Sequence, residues 1–193
     1  MTGARKWNLM TEQDYLAGEL VSSVKHEYIG GTLHAMAGAG NRHHTIADNI
    51  TGELRTRLKG RPFNSDTKVH IRLPTHTRYY YPDALVVCRS NPETDSFQDD
   101  PVVVVEVLSD STRRLDDGEK RDGYLTIPSL RVYLLVEQDE AAVIVYRRTE
   151  QGFVREVYVG RDAVLQLPEI GIELPLAEIY ERIEWPSESE SLE

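Results

Sequence analysis

The sequence holds one cysteine, Cys88, so no intrachain disulfide can form. A reducing cytoplasm is the matching location. Long apolar runs are also missing. The longest, Ala84–Cys88 and Pro101–Val105, are far too short to cross a bilayer, and no membrane partner is expected. No charged segment followed by an apolar one opens the chain, so no signal peptide is expected. Positive charge is scarce: 22 Lys and Arg against 32 Asp and Glu leave a net charge of −10. That balance argues against a protein that coats nucleic acid without selectivity. There is no Walker loop and no Gly-rich dinucleotide fingerprint. Neither the His43-His44 pair nor Cys88 has the spacing of a zinc site. Ser109 and Ser111 lie near acids but on no nucleophile elbow.

What is present reads as one α/β domain. The 193 residues, 40% of them hydrophobic, suffice for one sizeable core. Thr11 followed by Asp14 reads as a helix start, with a helix to about Val21. His26–Ile29 and Thr32–Ala37 flank Gly30-Gly31 as a hairpin. From Asn41, the residues Ile46, Ile50, Leu54 and Leu58 form the apolar stripe of a long helix. Gly60 and Pro62 stop it. Strands follow around Val69 and Ile71, over Tyr79–Cys88, and over Pro101–Leu108, whose nearly all β-branched run points to a central strand buried on both faces. A polar helix over Thr112–Leu125, capped by Ser111 or Thr112, precedes a strand at Val132–Glu137. Ala141–Arg147 and Phe153–Val159 read as an antiparallel pair, and Pro175–Ile183 as a last short helix. These elements predict a central mixed sheet flanked by helices over residues 1–183. Residues 184–193, with four Glu and no Lys or Arg, predict an acidic, disordered tail.

Two acids stand out. Glu106 interrupts the Val-rich strand, where a buried carboxylate is costly unless a cation or hydrogen-bond donors satisfy it. Period-two alternation puts it on the face of Val102, Val104 and Leu108. Asp83 lies in the preceding apolar stretch. Two such acids on neighbouring strands can converge on one hard cation, Mg²⁺ or Mn²⁺. The alternative for either residue is a strand end facing water, or a pairing with Arg. Between Arg55 and Asp83 the chain carries Arg55, Arg57, Lys59, Arg61, Lys68, Arg72 and Arg78 against Asp66 and Asp83. That strip is either a grip for a phosphate backbone or an ordinary solvated surface.

Pro82-Asp83 followed by Glu106 resembles the PD-(D/E)XK nucleases, although Leu108 stands where that motif has its lysine. The run Glu106-Val-Leu-Ser-Asp-Ser-Thr112, then Asp116, Lys120, Tyr124, Pro128 and Tyr133-Leu-Leu-Val136, resembles the Uma-type restriction-endonuclease family of bacteria. His26–Leu33 and the helix of His43, Ile46, Ile50 and Leu54 extend the likeness from about Glu12 to Tyr180. The resemblance implies a restriction-endonuclease-like fold, with a motif lysine moved to Lys120 and a helper acid at Glu27. A half-exposed strand Glu and a surface Asp116–Lys120 ion pair are the structural alternatives for these two.

The combined expectation is a Mg²⁺- or Mn²⁺-dependent endonuclease acting on phosphodiester bonds, of DNA rather than RNA. Asp83, Glu106 and the Val107 carbonyl would hold the metal, with Lys120 and Glu27 completing the catalytic set. His43 would bind phosphate or orient Glu27. Arg55, Arg57, Lys59, Arg61 and Arg72 would grip the strand. A homodimer is expected, with the edge at Ala141–Val159 as one route to pairing. The competing reading is an inactive nuclease fold serving as a binding or oligomerisation module, which the net negative charge favours.

Overall fold

The computed structural model describes residues 9–36, 38–58, 63–64 and 67–185. Lys59, Arg61 and residues 186–193 of the acidic tail lie outside them. Helix α1 spans Glu12–Glu19, and its N-cap is Thr11, whose hydroxyl accepts from the Asp14 N–H at 3.1 Å. Strands β1 (His26–Ile29) and β2 (Thr32–Ala35) form the expected hairpin. Its turn needs two residues at positive φ, and Gly30 (55°) and Gly31 (100°) supply them. Helix α2 runs over Asn41–Leu58 and buries Ile46, Ile50, Leu54 and Leu58 on one stripe.

The strands are β3 (Phe63–Asn64), β4 (Lys68–Arg72), β5 (Thr77–Tyr80), β6 (Ala84–Val87), β7 (Phe97–Gln98) and β8 (Pro101–Val107). After a helical segment come β9 (Val132–Val136), β10 (Ala142–Thr149), β11 (Gly152–Val159), β12 (Val164–Leu167) and β13 (Ile172–Pro175). A six-stranded sheet has the order β11-β10-β9-β8-β6-β3, and a five-stranded one the order β2-β1-β5-β4-β7. In the larger sheet β8 and β9 are parallel and the other pairs antiparallel, so it is mixed. One face packs on α2, on the β12–β13 ribbon and on α5 (Leu176–Ile179). The other face packs on Val69, Ile71 and Tyr80 of the smaller sheet and on Tyr124, Ile127 and Leu130.

Three details differ from the sequence expectation. Tyr79–Cys88 is not one strand: β5 and β6 belong to different sheets, and the chain crosses between them at Pro82-Asp83. Proline fixes φ and has no N–H for a ladder, so the break falls there. Thr112–Leu125 is not one regular helix. It consists of α3 (Arg113–Leu115), a wide π-turn at Asp116–Lys120 and α4 (Arg121–Tyr124), with a kink at Asp117 (φ −89, ψ 23). Thr112, one of the two expected caps, occupies the N-cap position but makes no side-chain cap bond. Val102 joins the α2 side of the sheet, whereas Val104 and Leu108 face the other side. The pairing of β6 with β8 shifts register at Val86/Val87, which interrupts the alternation at that point.

Candidate active site

The structure gathers four acids and one lysine at the join of the two sheets and the π-turn. Glu106 sits near the end of central strand β8, paired with Leu135 of β9 and one residue beyond the last β6 partner, Val105. Glu27 comes from β1, Asp83 from the crossing after Pro82, and Asp116 and Lys120 from the π-turn. Glu27, Glu106, Asp116 and Lys120 are 5%, 4%, 2% and 5% exposed, which excludes the surface ion pair and the half-exposed strand Glu.

Lys120 Nζ lies 2.8 Å from Glu27 Oε1, 3.2 Å from Asp116 Oδ1 and 3.3 Å from Glu106 Oε1. Three donors on one ammonium thus face three carboxylates. The Tyr124 hydroxyl donates to Glu106 Oε1 at 3.1 Å, and the Tyr81 N–H reaches Glu27 Oε1 at 3.4 Å. The Tyr133 hydroxyl donates to the Asp116 carbonyl at 2.9 Å and so ties down the π-turn. Asp83 Oδ2 accepts the Val107 N–H at 2.7 Å, a bond that clamps the crossing to the end of β8. His43 Nε2 lies 3.3 Å from the same oxygen.

Burial pushes the Glu106 carboxyl well above the usual range. Lys120 opposes that, and Asp116, Asp83 and Glu27 add to it. Burial alone would make the Lys120 amine less basic, but the charges of Glu106, Glu27 and Asp116 outweigh it and hold the ammonium form. For His43, burial disfavours the cation. Its bond to Asp83, the Asp83 charge, the Val107 carbonyl and Asp116 together raise it above an ordinary imidazole. His43 therefore bears on Asp83 rather than on Glu27.

Among the described residues, no three His, Cys, Asp or Glu side chains are arranged as a ready metal shell. The donors that remain are two side-chain carboxylates and a main-chain carbonyl. The Asp83 carboxylate accepts the Val107 N–H at 2.7 Å and lies 3.3 Å from His43 Nε2, so Asp83 and the Val107 main chain lie side by side. Glu106 lies within electrostatic reach of Asp83. Four acids against Lys120 and His43 leave this centre short of positive charge. Hard oxygen donors with a charge deficit fit Mg²⁺ or Mn²⁺.

Of the described residues of the basic strip, Arg55, Arg57 and Arg72 do not line this centre. Arg57 is ion-paired to Glu53 and Glu178. Arg72 pairs with Asp99 at 2.8 Å. Arg55 is exposed near the C-terminal end of α2, roughly 18 Å along the helix from His43 at 1.5 Å per residue. A cavity of about 340 Å³ opens beside His43 instead, walled by Gly38, Gly40, Ser109, Ser111 and Gln138. In the sequence Asp116 and Tyr124 stood beside Lys120 in the family run without a role of their own. Tyr81 and Tyr133, which act through a main-chain N–H and a contact to a main-chain carbonyl, were missed.

Residues 13–177 match the family model Uma2, "Putative restriction endonuclease". The chain belongs to the Uma2 family. Two cyanobacterial relatives from Synechocystis sp. (strain ATCC 27184 / PCC 6803 / Kazusa) are known as Uncharacterized protein slr1290 and Uncharacterized protein sll1609. The first is 30% identical over 175 residues, covering 89% of this chain and 91% of its own length. The second is 32% identical over 136 residues, covering 67% and 76%. A crystal structure of "a putative nuclease belonging to DUF820" from Anabaena variabilis ATCC 29413 superposes with a TM-score of 0.65. It covers 82% of this chain and 90% of its own at 19% identity, a likeness of fold. The Uma2 chain described here therefore has a restriction-endonuclease-like α/β fold.

Proposed function

We propose that this Uma2 protein is a metal-dependent endonuclease that hydrolyses phosphodiester bonds, with DNA as the preferred substrate. The observation that carries this reading is the buried Glu106–Lys120–Glu27–Asp116 cluster beside Asp83, which has more carboxylate than its own cations neutralise. Asp83, Glu106 and the Val107 carbonyl would hold Mg²⁺ or Mn²⁺. The chemistry such an ion supplies when bound is a more acidic water and offset charge at the phosphate.

The chain's own groups account for the rest. Lys120 is aimed from the π-turn at Glu106 and would exchange one of its three carboxylate contacts for a phosphate oxygen as its charge grows, a preorganised electrostatic role. Glu27 and Asp116 fix the ammonium in place. Tyr124 orients Glu106, and the Val107 N–H orients Asp83. His43, at the cavity of Ser109 and Ser111, would donate to a neighbouring phosphate. The exposed outer strand β11, with Val154, Val157 and Val159 on its surface, supports a homodimer, which light scattering would test.

A second reading, an inactive fold used for binding or oligomerisation, gains support from Arg57 and Arg72, whose charges are already spent on acids. The deciding experiment is cleavage of labelled single- and double-stranded DNA and RNA with Mn²⁺, Mg²⁺ or EDTA. Metal-dependent cutting that vanishes in Glu106→Ala and Lys120→Ala is the expected result. Cutting that persists in Glu106→Ala, or none by the wild type, sinks the nuclease reading.

A further inference from the structure

We propose that the cavity beside Tyr81 is a nucleotide subsite in which Lys68 and Lys25 take the phosphate group. The cavity measures about 730 Å³, within the range of small-molecule sites. Tyr81 forms part of its wall, and the Tyr81 N–H contacts Glu27, so the cavity adjoins the acidic cluster.

Lys68 is 4% exposed. Its Nζ donates to the Tyr81 hydroxyl at 3.3 Å and lies 5.2 Å from the centroid of that ring. Lys25 Nζ lies 5.3 Å from the same centroid. Two ammonium groups are therefore held around one aromatic ring. Among the described residues Lys68 forms no ion pair. The acid that bears on it, Glu19, is occupied: it accepts from the Tyr81 hydroxyl at 3.0 Å and the His26 N–H at 2.8 Å, and meets His26 Nδ1 at 3.2 Å. A buried ammonium with donors to spare is costly, and a phosphate would satisfy Lys68 through charge-assisted hydrogen bonds. Burial lowers the basicity of both amines, which a bound anion would reverse.

The same lining also carries the other polarity. Asn91 and the exposed Glu93 and Asp95 offer acceptors to the amino group of a base. Cationic groups and acceptors lining one cavity together fit a nucleotide. The choice of a nucleotide rests on the nuclease reading, whereas the cationic groups do not.

Calorimetry on the full chain with deoxyadenosine 5′-monophosphate, and with deoxyadenosine lacking the phosphate, tests the subsite. The nucleotide should bind and the nucleoside should not. Lys68→Met and Lys25→Met should each weaken binding ~10-fold or more, the scale of one lost charge-assisted bond. Lys25 is exposed, so its variant leaves the core alone. In the wild type, bound nucleotide should slow acetylation of both lysines, read by mass spectrometry. Absent nucleotide binding, equal binding of the nucleoside, or unchanged affinity in both variants overturns the subsite. Wild-type cleavage without nucleotide binding discards the subsite and leaves the nuclease reading intact. Nucleotide binding by a chain that cuts nothing does the reverse.

Discussion

Lys120 Nζ stands 2.8 Å from Glu27 Oε1, and this one contact joins the π-turn to the N-terminal hairpin across the end of the central strand. The contact is buried at both ends, so its loss is not absorbed by water. Lys120→Met leaves Glu27, Asp116 and Glu106 facing one another without a cation. Breaking a buried ion pair from one side costs about 3–5 kcal/mol, and urea denaturation should show a loss of that order. A Lys120→Met protein as stable as the wild type would mean that the cluster is not held together as described.

Glu106→Gln should move stability the other way. Burial and three neighbouring acids disfavour the ionised form of Glu106 in the folded chain, so a neutral isostere removes a strain at neutral pH. The variant should melt at or above the wild-type temperature while losing metal-dependent cleavage. A clear drop in melting temperature would contradict the charge surplus assigned to this centre.

The same surplus predicts a metal effect that needs no substrate. Mn²⁺ or Mg²⁺ at about 100 times its dissociation constant would stabilise the folded chain by about 2.7 kcal/mol, a shift of several degrees in melting temperature. EDTA should reverse the shift, and Asp83→Asn and Glu106→Gln should shrink it. Equal shifts in wild type and both variants would place the ion elsewhere.

Much of this centre was legible from the residues, for identifiable reasons. Glu106 stood out because a carboxylate inside a β-branched run is costly to bury unless something satisfies it, and Ile46, Ile50, Leu54 and Leu58 marked α2 by spacing alone. The role of Lys120 came from the family resemblance, since nothing in a polar helix marks one lysine as buried. The π-turn that carries it was illegible, because widening a turn by one residue leaves no side-chain signature. The switch of sheets at Pro82-Asp83 was readable only in part: the proline argued against an unbroken strand, but not for two sheets. The Tyr81 cavity was beyond reach because its walls come from segments near residues 19–25, 67–68, 81 and 90–98.

Tyr124 is fully buried, and its hydroxyl donates to Glu106 Oε1 at 3.1 Å. Tyr124→Phe keeps the ring against Tyr80 and Tyr133 but removes that donor. The expected cost is about 1–3 kcal/mol, the scale of an unsatisfied buried acceptor, together with slower cleavage from a less constrained Glu106. Unchanged stability and unchanged rate would show that the hydroxyl orients nothing.

Two histidines give the chain opposed responses to pH. His70 is buried against Tyr79 and Phe97, and burial, then Arg72, hold its pKa below the ordinary value, against the pull of Asp99 and Glu12. The folded state prefers neutral His70, so its contribution is complete above the unfolded value of about 6.5 and is lost as pH falls below it. His43 is raised, so its contribution is complete below about 6.5 and is lost as pH rises through the folded value. Urea midpoints measured from about pH 5 to 8 should therefore change in opposite ways in two variants. His70→Gln should flatten the decline on the acid side, and His43→Gln the decline on the alkaline side. If His70→Gln leaves the acid-side slope as steep as in the wild type, the burial of a neutral imidazole between β4 and Asp99 is not what sets it.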